Sequence, residues 1–487
     1  MESLSSGKKL VATIKVFNNH LRLPFILLAL SEASVFLVSV YSAALVRFQE
    51  SNFEQINVVI NYGGGNIGLI ASIYTIVMIL SMTALGHYQS QQHFSPSIFT
   101  ETVLRCLVSL IIGSIALMIL YYLLPEIYMG RGFHFISITL SFVGVIFIRA
   151  IFLHFVDKNI MKRNILVVGA GERAVTLINE QGGSQDGLSY KIVGYIPQNQ
   201  EDTAVPSERV VDIDSDAIYQ YALENDIDEI ILAINDRRKS YPDEELLKCK
   251  LSGIKIIDPV CFLEREQGKV NLELLRPSWM IFSTGFQRNA VDIIVARAFD
   301  IISSLIIFII MSPILLITSF LIAAESKFKH PIFYKQVRVG LDGVPFTLLK
   351  FRSMSMNAEK DGRAVWASKN DDRITFIGKF IRKTRIDELP QIINILKGDM
   401  RLVGPRPERP EFVDDLATKI PFYKKRHTVK PGLAGWAQLK YPYGATERDA
   451  YEKLQYDLYY VKNNNVIMDF FILLQTIEIV IMGKGAR

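Results

Sequence analysis

The chain has 487 residues, half of them hydrophobic, and a formal net charge of +5 at pH 7. It is longer than one ordinary domain and more apolar than an ordinary soluble enzyme. The small basic excess argues against a nucleic-acid-binding protein and favours contact with anionic lipid head groups. Its three cysteines, Cys106, Cys249 and Cys261, have neither disulfide nor metal-ligand spacing, so no role is predicted for them.

Four apolar runs precede residue 160, and each has about the length needed to cross a bilayer. They cover approximately residues 23–46, 66–86, 102–124 and 133–155. Basic residues precede the first run and follow the fourth, whereas the loop around 49–65 contains Glu50 and Glu54 but no lysine or arginine. The positive-inside rule therefore predicts a four-span transmembrane bundle, residues 1–160, with both ends in the cytoplasm. The first run is interpreted as a retained anchor.

Glu32 lies inside the first apolar run. An acidic side chain at membrane depth is a functional candidate by default. The alternative, which we favour, is that Glu32 faces the bundle interior and pairs with a polar group or with Arg149.

Residues 161–270 are predicted to form a Rossmann-like α/β module. A buried strand at 165–168 runs into Gly169-Ala170-Gly171-Glu172-Arg173-Ala174 and then into an amphipathic helix. This Gly-x-Gly-x-x-Ala turn is the usual setting for a dinucleotide phosphate. Further strands near 191–196, 229–233 and 254–257 would complete a small parallel sheet. The second strand lacks the acid that would hold a ribose hydroxyl, so a regulatory or scaffolding module is preferred to a nicotinamide site.

A linker, residues 271–293, is predicted before a membrane-associated domain at 294–487. The domain begins with a fifth apolar run that carries Ser312-Pro313 near its middle. Proline breaks or kinks a helix interior, and basic residues flank both ends of the run. We therefore predict a re-entrant helix-break-helix hairpin with both ends in the cytoplasm, its freed backbone groups bonded to protein or to the Ser312 hydroxyl. The alternative is an ordinary kinked fifth span. The chain is thus predicted to be a membrane protein of α plus α/β class that ends in a monotopic domain.

The rest of this domain combines turns with repeated arginines, whose forked side chains fit phosphate oxygens in pairs. Segment 331–340, a turn at Asp342-Gly343 and a strand through 346–349 predict a β-hairpin. The sequence at 430–436 predicts a rigid loop whose Trp436 ring could face a nucleobase, a sugar or a lipid. The last helix, Val466–Met482, has two interpretations of equal weight, an interfacial helix or a core helix.

Residues 382–411 contain the candidate catalytic residues. An adjacent acid pair, Asp387 and Glu388, precedes Pro390, and the apolar residues that follow have helical spacing. Proline is tolerated in the first turn of a helix, so a helix is predicted to start near Asp387 and to end at Gly398. The helix dipole and neighbouring basic residues would keep the acid ionised, for attack on a phosphate or for a divalent metal. The alternative is that Asp387 is only a helix N-cap.

Residues 294–487 resemble the bacterial sugar transferase family, the polyprenyl-phosphate hexose-1-phosphate transferases. The resemblance is carried by Ser312-Pro313 and by the ordered segments PIFYKQVRVG, KFRSM, DDRITFIGKFIRKTRIDELPQ, INILKGDMRLVGPRPE and KPGLAGWAQ. The bundle and the Rossmann-like module resemble the long exopolysaccharide-initiating subfamily. The C-terminal segment, which ends in GKGAR, is similar to the branch associated with exosortase-type (PEP-CTERM) systems.

The resemblance implies transfer of a hexose-1-phosphate from a UDP-sugar to undecaprenyl phosphate at the cytoplasmic face of the bacterial inner membrane, with release of UMP. It implies Asp387 as the nucleophile, Glu388 as its helper, and Mg²⁺ as a cofactor held at Asp387. The candidate substrate-binding residues are Arg382, Arg406, Arg352, Lys350 and Gln391. The expected partners are the two substrates and membrane lipids, with a homodimer as a further expectation and no nucleic acid.

Two other hypotheses stay open. The glycine-rich turn would suit a NAD-dependent enzyme that modifies nucleotide sugars, although its module shows no Tyr-x-x-x-Lys catalytic pair. The chain could instead be a non-catalytic membrane scaffold of a polysaccharide assembly complex. No residue in the sequence selects one hexose.

Overall fold

A computed structural model describes most of the chain. The described residues are 13–16, 19–48, 66–88, 97–157, 162–180, 190–198, 203–235, 242–283, 285–286, 289–356, 373–442, 444 and 446–482. Residues 1–12, the loop around 49–65, Asp371-Asp372 and the final GKGAR lie outside them. Two compact units are present, Met1–Val16 with His20–Phe262 and Phe17–Asn19 with Leu263–Arg487. The predicted division into a bundle, a module, a linker and a terminal domain stays a prediction.

Long apolar helices form the first part of the first unit. The elements are β1 (Thr13–Val16), β2 (Asn19–Arg22), α1 (Leu23–Phe48), α2 (Ile67–Ala84), α3 (Ser97–Leu123) and α4 (Arg131–Asp157), with a 3₁₀ turn at Pro125–Ile127. Each of the four helices is apolar and long enough to cross a membrane, as the four apolar runs predict. Fully buried side chains from all four, Phe36, Tyr74, Cys106 and Val145, belong to one apolar core.

Glu32 is fully buried and paired. The Arg149 guanidinium donates to it, with Nε 2.6 Å from Oε1, and the Tyr88 hydroxyl donates to its Oε2 at 2.5 Å. A second guanidinium nitrogen of Arg149 lies 2.9 Å from His87 Nδ1. The interpretation that Glu32 faces the interior and pairs with Arg149 is confirmed.

The predicted parallel sheet is confirmed. Its strands are β3 (Arg163–Val168), β4 (Tyr190–Ile196), β5 (Glu229–Leu232) and β6 (Lys255–Ile257), in the order β4-β3-β5-β6. The accompanying helices are α5 (Glu172–Glu180), α6 (Ile218–Glu224), α7 (Asp243–Leu251) and α8 (Pro259–Gln267). β5 is buried along its whole length, and β3 is buried at every residue except the half-buried Asn164, as expected for strands covered on both faces.

The glycine-rich turn after β3 is tightly packed. Gly169 has a φ of +111°, and a Cβ there would lie 2.6 Å from the carbonyl oxygen of Ala233. Only glycine tolerates both conditions. The carbonyl oxygen of Ala170 accepts hydrogen bonds from Ala204 N and Val205 N at 2.8 and 3.1 Å. The segment that follows β4 therefore stabilises the glycine-rich turn by hydrogen bonds.

The second unit contains the predicted hairpin and a set of short elements. These are α9 (Pro277–Phe282), α10 (Ala290–Glu325), β7 (Phe333–Val339), β8 (Pro345–Phe351), α11 (Phe376–Lys383), α12 (Ile392–Lys397), β9 (Arg401–Val403), α13 (Pro410–Lys419), β10 (Gly432–Ala434), α14 (Trp436–Lys440), α15 (Glu447–Asn463) and α16 (Val466–Met482). Short 3₁₀ turns occur at Leu341–Gly343, Ile386–Gln391 and Tyr423–Thr428. β7 and β8 pair antiparallel from Phe333–Phe351 to Val339–Pro345, which confirms the hairpin.

The helix predicted to start near Asp387 starts later. Ile386–Gln391 is a 3₁₀ turn, and the α-helix begins at Ile392. Pro390 lacks the N–H that an α-helix would need at that position, so the tighter turn precedes the helix. No side chain caps this turn, and Asp387 is therefore not an N-cap. The predicted end at Gly398 is confirmed, since this residue is left-handed with a φ of 96°.

Trp436 anchors the start of the second unit and does not line a binding cavity. Its Nε1 donates to the carbonyl oxygen of Gly268 at 2.7 Å, and its ring stacks on Tyr459 with centroids 5.9 Å apart. Nearby, Lys462 Nζ donates to Glu264 Oε2 at 2.6 Å. The expectation that the ring faces a ligand is therefore wrong, because its N–H and its face are already occupied within the fold.

One face of the first half of α16 is buried in the domain. Asp469 is 1 % exposed and Ile472 is fully buried. Arg401 donates to Asp469 Oδ2 at 2.7 Å, and the Tyr460 hydroxyl donates to Oδ1 at 2.7 Å. This face packs as the core interpretation predicts, whereas Ile467 and Phe470 are each 37 % exposed, so the interfacial interpretation stays open. The side chains after Thr476 lie outside the described residues.

α10 is one 36-residue helix that contains Pro313. The Ser312 hydroxyl donates to the carbonyl oxygen of Ile309 at 2.8 Å. Ile309 is four residues before Pro313, so this is the carbonyl that the missing proline N–H leaves unbonded. The predicted role of the Ser312 hydroxyl is thereby confirmed, whereas the re-entrant form stays a prediction.

Replacing Pro313 by Ala should straighten α10, because it restores the backbone N–H and removes the clash of the ring with the preceding turn. Single cysteines introduced on either side of the helix should then change their labelling by a membrane-impermeant maleimide. Unchanged labelling at both flanks in Pro313→Ala would contradict a bend that depends on the proline.

Candidate active site

A cavity of about 1740 Å³ lies in the second unit. One part of its lining is strongly charged and contains the acid pair predicted from the sequence. The charged residues in that part include Asp387, Glu388, Lys350, Arg352, Arg382, Arg385 and Arg406. A concave site with convergent charged groups is the default candidate for an active site.

The 3₁₀ turn at Ile386–Gln391 directs the two acids differently. Successive residues of a 3₁₀ turn point about 120° apart, since it has 3.0 residues per turn. Asp387 and Glu388 are each 8 % exposed, yet both line the cavity.

The turn follows Arg385, whose φ of 60° lies in the left-handed region. A non-glycine residue in this region is strained by roughly 1–3 kcal/mol, and such strain is concentrated at functional sites.

Glu388 is surrounded by three cations. Its Oε1 lies 2.7 Å from Arg406 Nη2, 3.1 Å from Lys350 Nζ and 3.7 Å from Arg385 Nη1. Burial alone would raise the pKa of Glu388, but Arg406, Lys350 and Arg385 outweigh it and hold the pKa well below its usual range. Glu388 is therefore a permanently ionised residue that fixes the cations in place.

Asp387 has the opposite environment. Burial and the adjacent Glu388 charge raise its pKa to about 6, against the smaller opposing effects of Lys350, Arg382 and Arg385. In the part of the chain that the structure describes, no residue donates a hydrogen bond to its carboxylate. The prediction that a helix dipole holds Asp387 ionised is wrong, because the acid is buried in a 3₁₀ turn and not at the start of an α-helix.

The two loops predicted around 404–407 and 430–436 form one rigid unit. β9 and β10 pair in parallel, with Arg401 opposite Gly432 and Val403 opposite Ala434. A Cβ at Gly432 would lie only 2.0 Å from the Gly404 nitrogen, so the two backbones touch where no side chain fits. This contact holds the Gly-Pro-Arg-Pro turn, and with it Arg406, against the cavity.

A buried ion pair supports the same turn from behind. Arg426 Nη2 lies 2.7 Å from Asp457 Oδ2, and both side chains are almost completely buried. Arg426 also donates to the carbonyl oxygen of Arg406 at 3.1 Å and to the Tyr423 hydroxyl at 2.8 Å. The pair thus positions the backbone of Arg406.

The other predicted residues are distributed unevenly. Arg382 and Arg352 line the cavity, and Arg352 Nη1 is buried without a hydrogen-bond partner among the described residues. Gln391 is 3 % exposed and does not line the cavity. Ser312 and Pro313 lie in α10. The structure therefore brings together both acids and four of the five predicted phosphate ligands.

The sequence interpretation missed the supporting residues. Asp457 lies in a segment of α15 where nearly every residue is buried, Leu454 to Asn463. An acid within so apolar and aromatic a segment is a signal that it is paired. Arg426 lies between two lysines and a histidine, which resembles an ordinary solvated basic run, so its burial could not be seen.

The fit of a magnesium ion depends on Asp387. Glu388 is already neutralised by three cations, and in the described ranges no group of three or more His, Cys, Asp or Glu residues is placed so that it could hold a metal ion by itself. Mg²⁺ is commonly held by one or two carboxylates together with substrate phosphates. The Asp387 carboxylate, which accepts no hydrogen bond from the described residues and lies beside the cations of the cavity, fits that mode of binding.

Asp457→Ala should destabilise the protein by roughly 3 to 5 kcal/mol, because it leaves Arg426 buried and unpaired. The matched control is Asp415→Ala, which removes an exposed pair with Lys419 at 2.8 Å and should cost less than about 1 kcal/mol. Unfolding of the detergent-solubilised variants measures both. Equal losses of stability would contradict a supporting role for the buried pair.

Comparison with known proteins matches this domain to one family. Residues 291–483 match the family model described as bacterial sugar transferase, and residues 83–242 match one described as a CoA-binding domain. The UDP-N-acetylgalactosamine-undecaprenyl-phosphate N-acetylgalactosaminephosphotransferase of Aeromonas hydrophila is 40 % identical over 242 residues, 50 % of this chain and 56 % of that protein. The UDP-glucose:undecaprenyl-phosphate glucose-1-phosphate transferase of Klebsiella pneumoniae is 38 % identical over 200 residues, 41 % of this chain and 42 % of that protein.

This chain thus spans about half the length of these two relatives. The exopolysaccharide production protein PSS of Rhizobium leguminosarum bv. phaseoli is 37 % identical over 203 residues, which are 40 % of this chain and 99 % of that protein. This chain therefore covers nearly the whole of that relative. The chain belongs to the bacterial sugar transferase family.

Proposed function

We propose that this protein transfers a hexose-1-phosphate from a UDP-sugar to undecaprenyl phosphate, with UMP as the second product. The names of its relatives in Aeromonas and Klebsiella give this class of reaction. The proposal also draws on the cavity, whose cations suit a diphosphate donor and a phosphate acceptor.

The observation that carries the proposal is the difference between the two acids. Glu388 is neutralised by Arg406, Lys350 and Arg385, so it has little capacity to attack. Asp387 lines the same cavity, accepts no hydrogen bond from the described residues and has a pKa raised to about 6. At neutral pH it is largely ionised but poorly solvated, which suits a carboxylate nucleophile.

In the first step an Asp387 carboxylate oxygen attacks the β-phosphorus, which carries the sugar. The bond from that phosphorus to the bridging oxygen breaks, and UMP leaves with the bond electrons. The product is a sugar-phosphate joined to the Asp387 carboxylate as an acyl phosphate. No proton must be removed from the nucleophile, so no general base is needed in this step.

In the second step a phosphate oxygen of undecaprenyl phosphate attacks the same phosphorus. The bond to Asp387 breaks, the carboxylate is regenerated, and the product is undecaprenyl-diphosphate-sugar. Both steps place negative charge beside Arg406, Lys350 and Arg382, which favours phosphoryl transfer by electrostatic stabilisation. Asp387 and the substrate phosphates would hold Mg²⁺, whose charge would offset that of the diphosphate.

The location follows from α10. One flank of Pro313 is tied to the domain by Asp300, which accepts from Arg401 at 2.8 Å. The other flank is tied by Glu325, which accepts from Ile377 N at 3.2 Å, and by Ile322 in a core with Phe351 and Ile381. Because both flanks of Pro313 contact the same domain, they lie on the same side of the membrane. This arrangement favours a re-entrant hairpin in the cytoplasmic leaflet of the inner membrane.

Exopolysaccharide initiation is the biological role that we propose, by similarity to the Rhizobium protein. The homodimer and the exosortase-associated branch stay predictions. A UMP-release assay with undecaprenyl phosphate across a panel of UDP-sugars would identify the hexose. Absence of UMP release with every donor would favour the scaffold hypothesis, and binding of NADH by the intact protein would favour the nicotinamide hypothesis.

Asp387→Asn should abolish turnover, because an amide cannot form the acyl phosphate. The variant should also fail to become labelled when it is incubated with UDP-sugar radiolabelled in the sugar. Asp414→Asn, at a side chain that is 78 % exposed, is the control and should label as the wild type does. An active Asp387→Asn enzyme would remove Asp387 from the reaction.

The pH dependence tests the protonation state of Asp387. Its raised pKa means that the acid is protonated and unreactive below about pH 6 and ionised above it, so labelling by donor should rise with pH through this value. Glu388→Gln removes the neighbouring charge that raises this pKa, and it also releases three cations. In Glu388→Gln, the rise of the labelling rate with pH should therefore occur at lower pH than in the wild type. The maximal labelling rate should fall, because the released cations no longer hold the substrate phosphates. A rise that occurs at the same pH as in the wild type, or at higher pH, would contradict this electrostatic coupling between Glu388 and Asp387.

A further inference from the structure

A second cavity, of about 740 Å³, lies in the second unit. Its volume is within the roughly 300–1,000 Å³ that is typical of sites for small ligands. It is lined mainly by α9, by the first part of α10 and by the segments around residues 400 and 422–430. None of its lining residues lines the candidate active site. It is therefore a separate site, whose function the proposed reaction does not explain.

Most of the lining is apolar and continues onto an exposed apolar rim. Ile281 of α9 and Ile293 of α10 both line the cavity, and they are 75 % and 52 % exposed. Their neighbours Phe282 and Ile294 are 84 % and 67 % exposed. An exposed patch of large apolar side chains beside a cavity marks a surface that contacts lipid or another apolar partner.

The rim is held in place by contacts on the other side of α9. Lys462 Nζ lies 4.2 Å from the centre of the Trp279 ring, which is within the range of a cation–π contact. The Phe286 N–H donates to the carbonyl oxygen of Lys462 at 3.2 Å. The exposure of Ile281 and Phe282 is therefore a consequence of how α9 packs on the domain.

The charged part of the lining has an excess of cations. These are Arg297, Arg401, Lys425 and Lys430. Among the described lining residues the only acid is Asp300, and it is already paired with Arg401 at 2.8 Å. Arg297 and Lys430 donate to backbone carbonyl oxygens at the end of α12, at 2.6 and 2.7 Å, and these carbonyls carry no net charge. Lys425 is exposed, and no acid in the described part of the chain forms an ion pair with it.

We propose that this cavity binds an anionic glycerophospholipid, with the lipid phosphate beside Lys425 and Lys430 and part of an acyl chain between Ile281 and Ile293. Charge complementarity favours this occupant, because unneutralised cations attract an anionic head group and the apolar lining beside them accepts hydrocarbon. In the proposed reaction the acceptor phosphate must reach Asp387, which lies in the other cavity. The occupant is therefore a lipid that is not consumed, and it would join α9 to the first turns of α10.

The test uses the intact detergent-solubilised protein and phosphatidylglycerol that carries a diazirine on one acyl chain. Cross-links formed on illumination are mapped by mass spectrometry, and their dependence on probe concentration gives an apparent Kd. Lys425→Ala removes the cation at the cavity. The matched control, Lys424→Ala, removes the same charge from the preceding residue, which is 70 % exposed and does not line the cavity.

The wild-type protein should cross-link in α9 and in the first two turns of α10, and a phosphatidylcholine probe should label these helices more weakly. Lys425→Ala should raise the apparent Kd about fivefold, the loss expected when one lysine beside an anionic head group is removed. Lys424→Ala should leave the apparent Kd unchanged. Labelling of Asp387 by UDP-sugar should be the same in both variants, because the two cavities share no residue.

Three results would overturn the assignment: an equal rise of the apparent Kd in both variants, equal labelling by the phosphatidylcholine probe, or displacement of the probe by undecaprenyl phosphate more readily than by unlabelled phosphatidylglycerol. The last result would make the cavity an acceptor site. A wild-type protein that binds the probe as expected but is not labelled by any UDP-sugar would contradict the proposed function and leave this inference standing.

A second pair of variants tests the apolar part of the site. Ile293→Trp fills the cavity, and Ile294→Trp places the same ring on the exposed neighbouring position. Only Ile293→Trp should abolish saturable cross-linking, and its unfolding in detergent without added lipid shows whether it is folded. Saturable cross-linking retained by folded Ile293→Trp would overturn the assignment. If this variant does not fold, the comparison of Lys425→Ala with Lys424→Ala decides.

Discussion

The buried carboxylate of Glu388 is the constraint on which the site depends. An ionised carboxylate with 8 % exposure is tolerated only if it is paired and hydrogen-bonded. Its partners come from β8, from the residue before the 3₁₀ turn and from the turn after β9. Neutralising one acid therefore brings three separate segments of the chain together. Together with burial, the same charge raises the pKa of the adjacent Asp387, so the permanently ionised acid contributes to the protonation state of the reactive one.

Features determined by local pattern could be predicted from the sequence. The length of the apolar runs predicted the long helices, and the composition of the strand segments predicted the parallel sheet. The turn at Asp342-Gly343 predicted the hairpin. The family motifs gave the acid pair and its nearby arginines. The pairing of Glu32 with Arg149 was predictable because few polar partners exist within apolar helices.

What depends on distant packing could not be predicted. The raised pKa of Asp387 follows from its burial and from the adjacent Glu388 charge, whereas the helix dipole inferred from the local sequence predicted a shift in the opposite direction. Trp436 in a glycine-rich loop suggested a ligand contact, but its partner is Gly268, far earlier in the chain. Asp300 carried no sequence signal of its role, although with Asp469 it encloses Arg401 and so fixes α10 to the domain.

The buried pair of Glu32 and Arg149 has a consequence for biosynthesis. These residues are 117 positions apart, so α1 leaves the ribosome long before α4. An unpartnered charged side chain within a membrane-spanning helix is costly. The first helix is therefore unstable in lipid until the fourth helix has been synthesised. During this interval the insertion machinery would retain α1, or α1 would lie at the level of the head groups.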